Sequence, residues 1–144
     1  MLTMVEEDFF ASKFMDELTA YNLNAVSLAF VGDAVYSLYI RTIFCSTTQA
    51  KSGELHKKST KYVKATAQSA ALDIVEPILT EKEKDVLRRG RNTKTNTVSK
   101  NASLGDYKRS TAFEAVLGYL YLSGQKDRLN EILQLATKDI RSEK

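Results

Sequence analysis

Pro77 is the only proline in this chain, and just six glycines accompany it over 144 residues. So few chain-breakers leave little material for the turns that a sheet of short strands requires, and long helices are favoured instead. The apolar residues, 43% of the sequence, recur at three- and four-residue spacings, the period of a helix that buries one face. The expected architecture is all-α. A single domain over 1–144 is expected, because no linker or internal repeat divides the chain. With one cysteine, Cys45, a disulfide framework is impossible. With His56 as the only histidine, a structural zinc site lacks ligands.

Residues 6–20 read as a short amphipathic helix. Asn24 can cap a second helix to about Phe44, apolar on nearly every face. A third is expected over 52–74, with Leu55, Tyr62, Val63, Ala67, Ala70 and Ala71 inward and its lysines outward. Glu76-Pro77 ends or kinks it, since proline disfavours helical geometry in the residue before it. Thr80-Glu81-Lys82-Glu83 has the capping-box pattern and opens a helix to about Gly90. Residues 91–105 lack periodicity and read as a polar, basic connector. Two further helices are expected at about 107–122 and 126–141. Cys45 is expected to be a small buried residue ending the second helix.

The opening residues MLTMVEEDFF lack the basic start of a signal peptide. The longest apolar runs are interrupted by Asp33 and Glu114 and read as too short to span a bilayer. A cytoplasmic protein without a membrane partner is the expectation.

The net charge of +3 conceals a segregation. Residues 6–17 are acidic. Residues 51–64 carry five lysines, of which Lys57, Lys61 and Lys64 recur at helical spacing. Residues 88–109 carry Arg88, Arg89, Arg91, Lys94, Lys100, Lys108 and Arg109 against one Asp106. Two basic blocks in one small domain point to a polyanionic partner.

The most apolar segments, LAFVGDAVYSLYI (28–40) and AFEAVLGYLYL (112–122), should form the centre of the core. Each holds one carboxylate, Asp33 and Glu114, with no basic residue one helical turn away. A buried, unpaired carboxylate is costly, so it calls for a partner from outside, such as a metal ion. Gly32, Ala34, Ala112, Ala115 and Gly118 are small enough to let the two helices approach and bring the acids together. The plainer alternative places each acid on a narrow solvent-facing stripe. An Asp/Glu pair without histidine or cysteine is a hard-oxygen site suited to Mg²⁺. Beside basic blocks, it implies metal-assisted hydrolysis of a phosphodiester. His56, among lysines, reads as a solvated or phosphate-contacting residue, and Tyr36, Tyr39, Tyr119 and Tyr121 as packing residues.

LAFVGDAVY (28–36) resembles the signature helix of the ribonuclease III family, and TAFEAVLGYLYL (111–122) resembles its second acidic helix. LHKKSTKYVKATAQ (55–68), RRGRNTK (88–94) and the lack of a recognisable double-stranded-RNA-binding domain in these residues are similar to the Mini-ribonuclease III branch. The resemblance covers roughly residues 20–123. It implies an endonuclease-domain helical bundle working as a homodimer, with Mg²⁺-dependent cleavage of double-stranded RNA. In the bacterial Mini-ribonuclease III members it further implies maturation of the ends of large-subunit (23S) ribosomal RNA precursors. Asp33 and Glu114 match the family's acidic positions and are the expected catalytic and metal-holding residues. The basic residues Lys57, Lys61, Lys64, Arg88, Arg89, Arg91, Lys94, Lys100, Lys108 and Arg109 are the expected RNA contacts. Two positions depart from full-length ribonuclease III. Where that enzyme has a glutamate four residues before the first aspartate and an aspartate three before the second glutamate, this chain has Ala29 and Thr111. Those departures leave a second reading open, a non-catalytic structured-RNA-binding or ribosome-assembly module.

Overall fold

The computed structural model describes residues 13–47, 51–94 and 103–141. Eight helices succeed one another there: α1 (Glu17–Tyr21), α2 (Ala25–Thr47), α3 (Ser52–Val63), α4 (Ala65–Val75), α5 (Glu81–Arg91), α6 (Leu104–Leu122), α7 (Lys126–Ala136) and α8 (Lys138–Arg141). A single 3-10 turn at Glu76–Ile78 follows α4. Among the described residues there is no strand, and the fold is all-α as expected.

The core is organised around α6. From Ser110 to Leu120 nearly every residue of it is buried, with α2, α4 and α5 packed around it. Leu28, Tyr36, Ile40, Phe113, Leu117 and Leu120 are among its fully enclosed side chains. Tyr36 meets Phe113 edge-on at 5.2 Å, the geometry that ring quadrupoles favour. The expected small-residue contact is present. A β-carbon on Gly118 would overlap the Leu28 carbonyl, and one on Gly32 would overlap the Glu114 carbonyl. Backbone therefore meets backbone where the two motif helices cross.

α2 departs from expectation. Only one stripe of it is buried: Ala25, Leu28, Ala29, Gly32, Tyr36, Ile40 and Phe44. The opposite face carries Val26, Phe30, Ala34 and Leu38 at four-residue spacing, all exposed, with Phe30 81% accessible. Apolar composition all round did not mean burial all round. Cys45 is likewise exposed rather than buried, because it lies off the stripe that Phe44 completes. At 23 residues α2 is also long and apolar enough, by length and composition alone, to cross a membrane. Asp33 did not shorten the run as expected. Packing of the buried stripe against α6 gives the helix a place in the core instead.

The caps follow the sequence. Asn24 accepts from the Val26 N–H at 2.7 Å, and Thr80 and Glu83 form both halves of the capping box. Other boundaries move. The helix expected over 6–20 is described only from Glu17, where Asp16 caps it through Thr19, and residues 1–12 lie outside the described ones. α6 begins at Leu104, three residues early, because Ser103 accepts from the Asp106 N–H. The last helix is divided at the buried Thr137. The expected helix over 52–74 is two helices, α3 and α4, with Lys64 extended between them (φ −69°, ψ 161°). Ala67 is half-buried and Ala70 exposed, unlike the enclosed Ala71.

Candidate active site

The crossing of α2 and α6, together with the start of α4, encloses a cleft of about 480 Å³. Asp33 enters from α2 and Glu114 from α6, and Gln68 closes the floor from α4. The two carboxylates that sequence reasoning selected are thus brought together. Their surroundings differ from the expected deep core. Asp33 is exposed and Glu114 half-buried, so the pair sits at the mouth of the helix crossing.

Glu114 and Asp33 are close enough to share a hydrogen bond. Burial, then the hydrogen bond and charge of Asp33, push the Glu114 carboxyl up to about 8, against a smaller opposing effect of Gln68. The cause is simple: two like charges face each other in a partly desolvated cleft. Among the described residues no ion pair reaches either acid. Among the described residues, Gln68 supplies the one side-chain hydrogen bond from outside the pair, donating from Nε2 to Glu114 Oε2 at 3.1 Å.

Ala29 and Thr111, the two departures, line this same cleft. The Thr111 hydroxyl donates to the Tyr107 carbonyl, so only its oxygen lone pairs remain to offer. The described residues contain no group of three or more potential His, Cys, Asp or Glu ligands. Two carboxylates and a hydroxyl oxygen form an all-oxygen donor set. Crowded like charges with no ion pair to either among the described residues fit a hard divalent ion, and an ion that keeps several of its waters needs no more protein ligands.

The basic residues divide into two kinds. Lys57 and Lys61 stand exposed on α3, and Lys64 lines the rim of the cleft at the α3–α4 break. Arg91 and Lys94 are exposed, and Lys108 is half-buried on α6. Arg88 pairs with Asp85. Arg89 is committed internally: it donates to the Tyr21 carbonyl at 2.5 Å, pairs with Asp85 and lies over the Tyr21 ring. Arg109 is equally engaged, holding Ser69 and Asp73 of α4. Lys100 lies outside the described residues. His56 is exposed, as expected of a residue on the lysine side.

Sequence reasoning missed Gln68. It is the only long polar side chain in the alanine-rich run ATAQSAAL, and it is 2% accessible. Polarity at a position of inward helical phase was the signal available.

An all-helical domain with an acid on each of two crossing helices and an oxygen-lined cleft has the form of a hydrolytic nuclease. Comparison with known proteins agrees. Residues 26–125 match the Ribonuclease III domain family. The Mini-ribonuclease 3 of Thermoanaerobacter is 48% identical, covering 83% of this chain and 84% of that protein. The Mini-ribonuclease 3 of Kosmotoga olearia is 38% identical over 92% of this chain and 90% of its own length. A crystal structure of a Fusobacterium nucleatum protein, 27% identical, superposes with a TM-score of 0.75 and covers 87% of this chain and 98% of that one. The chain belongs to the ribonuclease III family, among the Mini-ribonucleases 3, and is an endoribonuclease.

Proposed function

We propose that this endoribonuclease, a single domain acting in the cytoplasm, hydrolyses phosphodiester bonds of double-stranded RNA with Mg²⁺, as a homodimer, and trims the ends of 23S ribosomal RNA precursors. The observation that carries the reading is the meeting of Asp33 and Glu114 in one cleft with no basic side chain paired to either. Asp33 and Glu114 would hold the ion. When bound, Mg²⁺ supplies charge to polarise a phosphodiester oxygen and to acidify an attacking water. Glu114, held by the Gln68 amide, is suited to orient that water.

Lys64 at the rim, with Lys57 and Lys61 beyond it, offers phosphates a continuous cationic approach. Arg88, Arg91, Lys94, Lys100 and Lys108 form the second block. Arg89 and Arg109 add their charge to the field while their hydrogen bonds are spent inside the protein.

The homodimer reading rests on α2. Phe30 and Leu38 lead into an apolar groove with Tyr121, Leu129 and Leu133, and Asp33 stands at its edge. A two-fold partner would cover that groove and present two cleavage centres to the two strands of a duplex.

The test is cleavage of duplex RNA, including a 23S precursor stem, by the purified protein with Mg²⁺ or with EDTA. Cleavage should require Mg²⁺ and fall at least about 100-fold in Asp33→Asn and Glu114→Gln, with RNA binding retained. Undiminished cutting in EDTA, or by either variant, would overturn the assignment.

A further inference from the structure

Gln68 is buried, 2% accessible, yet it belongs to neither motif. Its side-chain amide makes two bonds, both from Nε2: to the Val63 carbonyl at 2.6 Å and to Glu114 Oε2 at 3.1 Å. A backbone carbonyl can only accept, so the amide cannot be turned over, and both of its hydrogens are committed. Its other end, Oε1, is buried without a partner. A buried amide oxygen left unsatisfied is rare enough to need an explanation.

The break between α3 and α4 supplies half of it. Neither proline nor glycine marks that break. Lys64 is extended there, so the Val63 carbonyl leaves the helical ladder, and Gln68 takes it. The same amide thereby reaches α6, where Arg109 also grips the neighbouring Ser69. Gln68 is anchored on one side by backbone and on the other holds one carboxylate oxygen.

We propose that Gln68 is a positioning residue of this active site: anchored on Val63, it fixes the Glu114 carboxylate toward Asp33. The Glu114 oxygen not held by Gln68 is then the one left to face the acid of α2. This rests on the reading of Asp33 and Glu114 as the metal-holding pair, since a carboxylate needs aiming only if something is to be bound between them. Groups that orient ligands in this way commonly contribute about 10–100-fold in metal affinity or activity.

The experiment has two arms. In the first, Gln68→Met keeps the volume and removes both donated bonds. MgCl₂ is titrated calorimetrically into RNA-free wild type, Gln68→Met, Glu114→Gln and the double variant. Gln68→Met should weaken Mg²⁺ binding about 10-fold and lower kcat on duplex RNA by a similar factor with KM little changed. In the Glu114→Gln background it should add nothing, because the group it positions is gone. A merely structural role would give the same loss in both backgrounds and would overturn the proposal. The second arm does not depend on Gln68→Met folding. The Gln68 side-chain amide signal in the ¹H–¹⁵N spectrum of the wild-type protein should move as MgCl₂ is added, and should stay still in Glu114→Gln. A signal unmoved in the wild type overturns the proposal. Neither the calorimetry nor the spectrum involves RNA, so failure to cleave a duplex would count against the substrate reading and leave this one to its own result.

Discussion

Gly32 bears against the main chain of Glu114, with the position of its missing β-carbon falling inside the carbonyl group of that residue. The contact joins the residue before one acid of the cleft to the backbone of the other. The spacing between Asp33 and Glu114 is therefore set by how closely two helices can approach, and Gly118 against Leu28 fixes the same approach one turn away.

Gly32→Ala and Gly118→Ala should each be strongly destabilising, by about 2–3 kcal/mol or more, since backbone rather than a flexible side chain stands in the way. Urea unfolding followed by circular dichroism measures this. Gly53→Ala, where a β-carbon meets nothing within 4 Å, should cost nothing of the kind and serves as the control.

Stability in metal-free buffer should depend on pH through Glu114. The folded protein keeps that proton up to about 8, because of burial and then Asp33, whereas the ordinary value is 4.5. Between those limits the folded state binds more protons than the unfolded one, so stability is full below the lower value and falls as pH rises toward 8. Glu114→Gln should remove the decline and leave the variant more stable than wild type at pH 8.5. Urea midpoints in EDTA across pH 5–8.5 measure the effect, and a flat wild-type profile would show that Glu114 ionises freely.

Ala29 and Thr111 occupy the cleft where two more carboxylates would stand. Ala29→Glu together with Thr111→Asp should tighten Mg²⁺ binding to RNA-free protein without necessarily raising turnover, since tighter ground-state binding does not itself favour the transition state. In the unaltered protein the Mg²⁺ midpoint for activity should fall as RNA concentration rises, by reciprocal linkage. Calorimetry on wild type and the double variant decides the first point, and activity titrations at several RNA concentrations decide the second.

Leu38 lines the groove beside α2 and is 56% exposed. Leu38→Glu should leave the folded monomer as stable as wild type while shifting sedimentation from dimer to monomer at micromolar concentration. A wild type that sediments only as monomer would remove the groove as an interface.

Much of this was legible in the residues. Capping boxes are local, so Thr80 and Glu83 announce their helix. The small residues Gly32 and Gly118 announce a close crossing because nothing larger could occupy it. The break at Lys64 was not legible, since Thr60, Lys61, Tyr62 and Val63 are compatible with continuing helix. What compensates for the interruption is a tertiary bond from Gln68, and no window of sequence displays it. The second apolar face of α2 misled for a related reason. Val26, Phe30 and Leu38 have the composition of a core, and only the positions of α4, α6 and α7 reveal that nothing in the described residues covers them. Asp33 was expected as a buried charge and stands at an exposed edge.

The helix crossing also sets when the cleft can form. Asp33 emerges early in synthesis, and Glu114 only after α3, α4 and α5 have been made, because α6 comes late in the chain. Until α6 docks against Gly32, a growing chain holds one acid and no cleft. The cleft is thus completed only when the second of its two crossing helices has been made, whatever is synthesised in between.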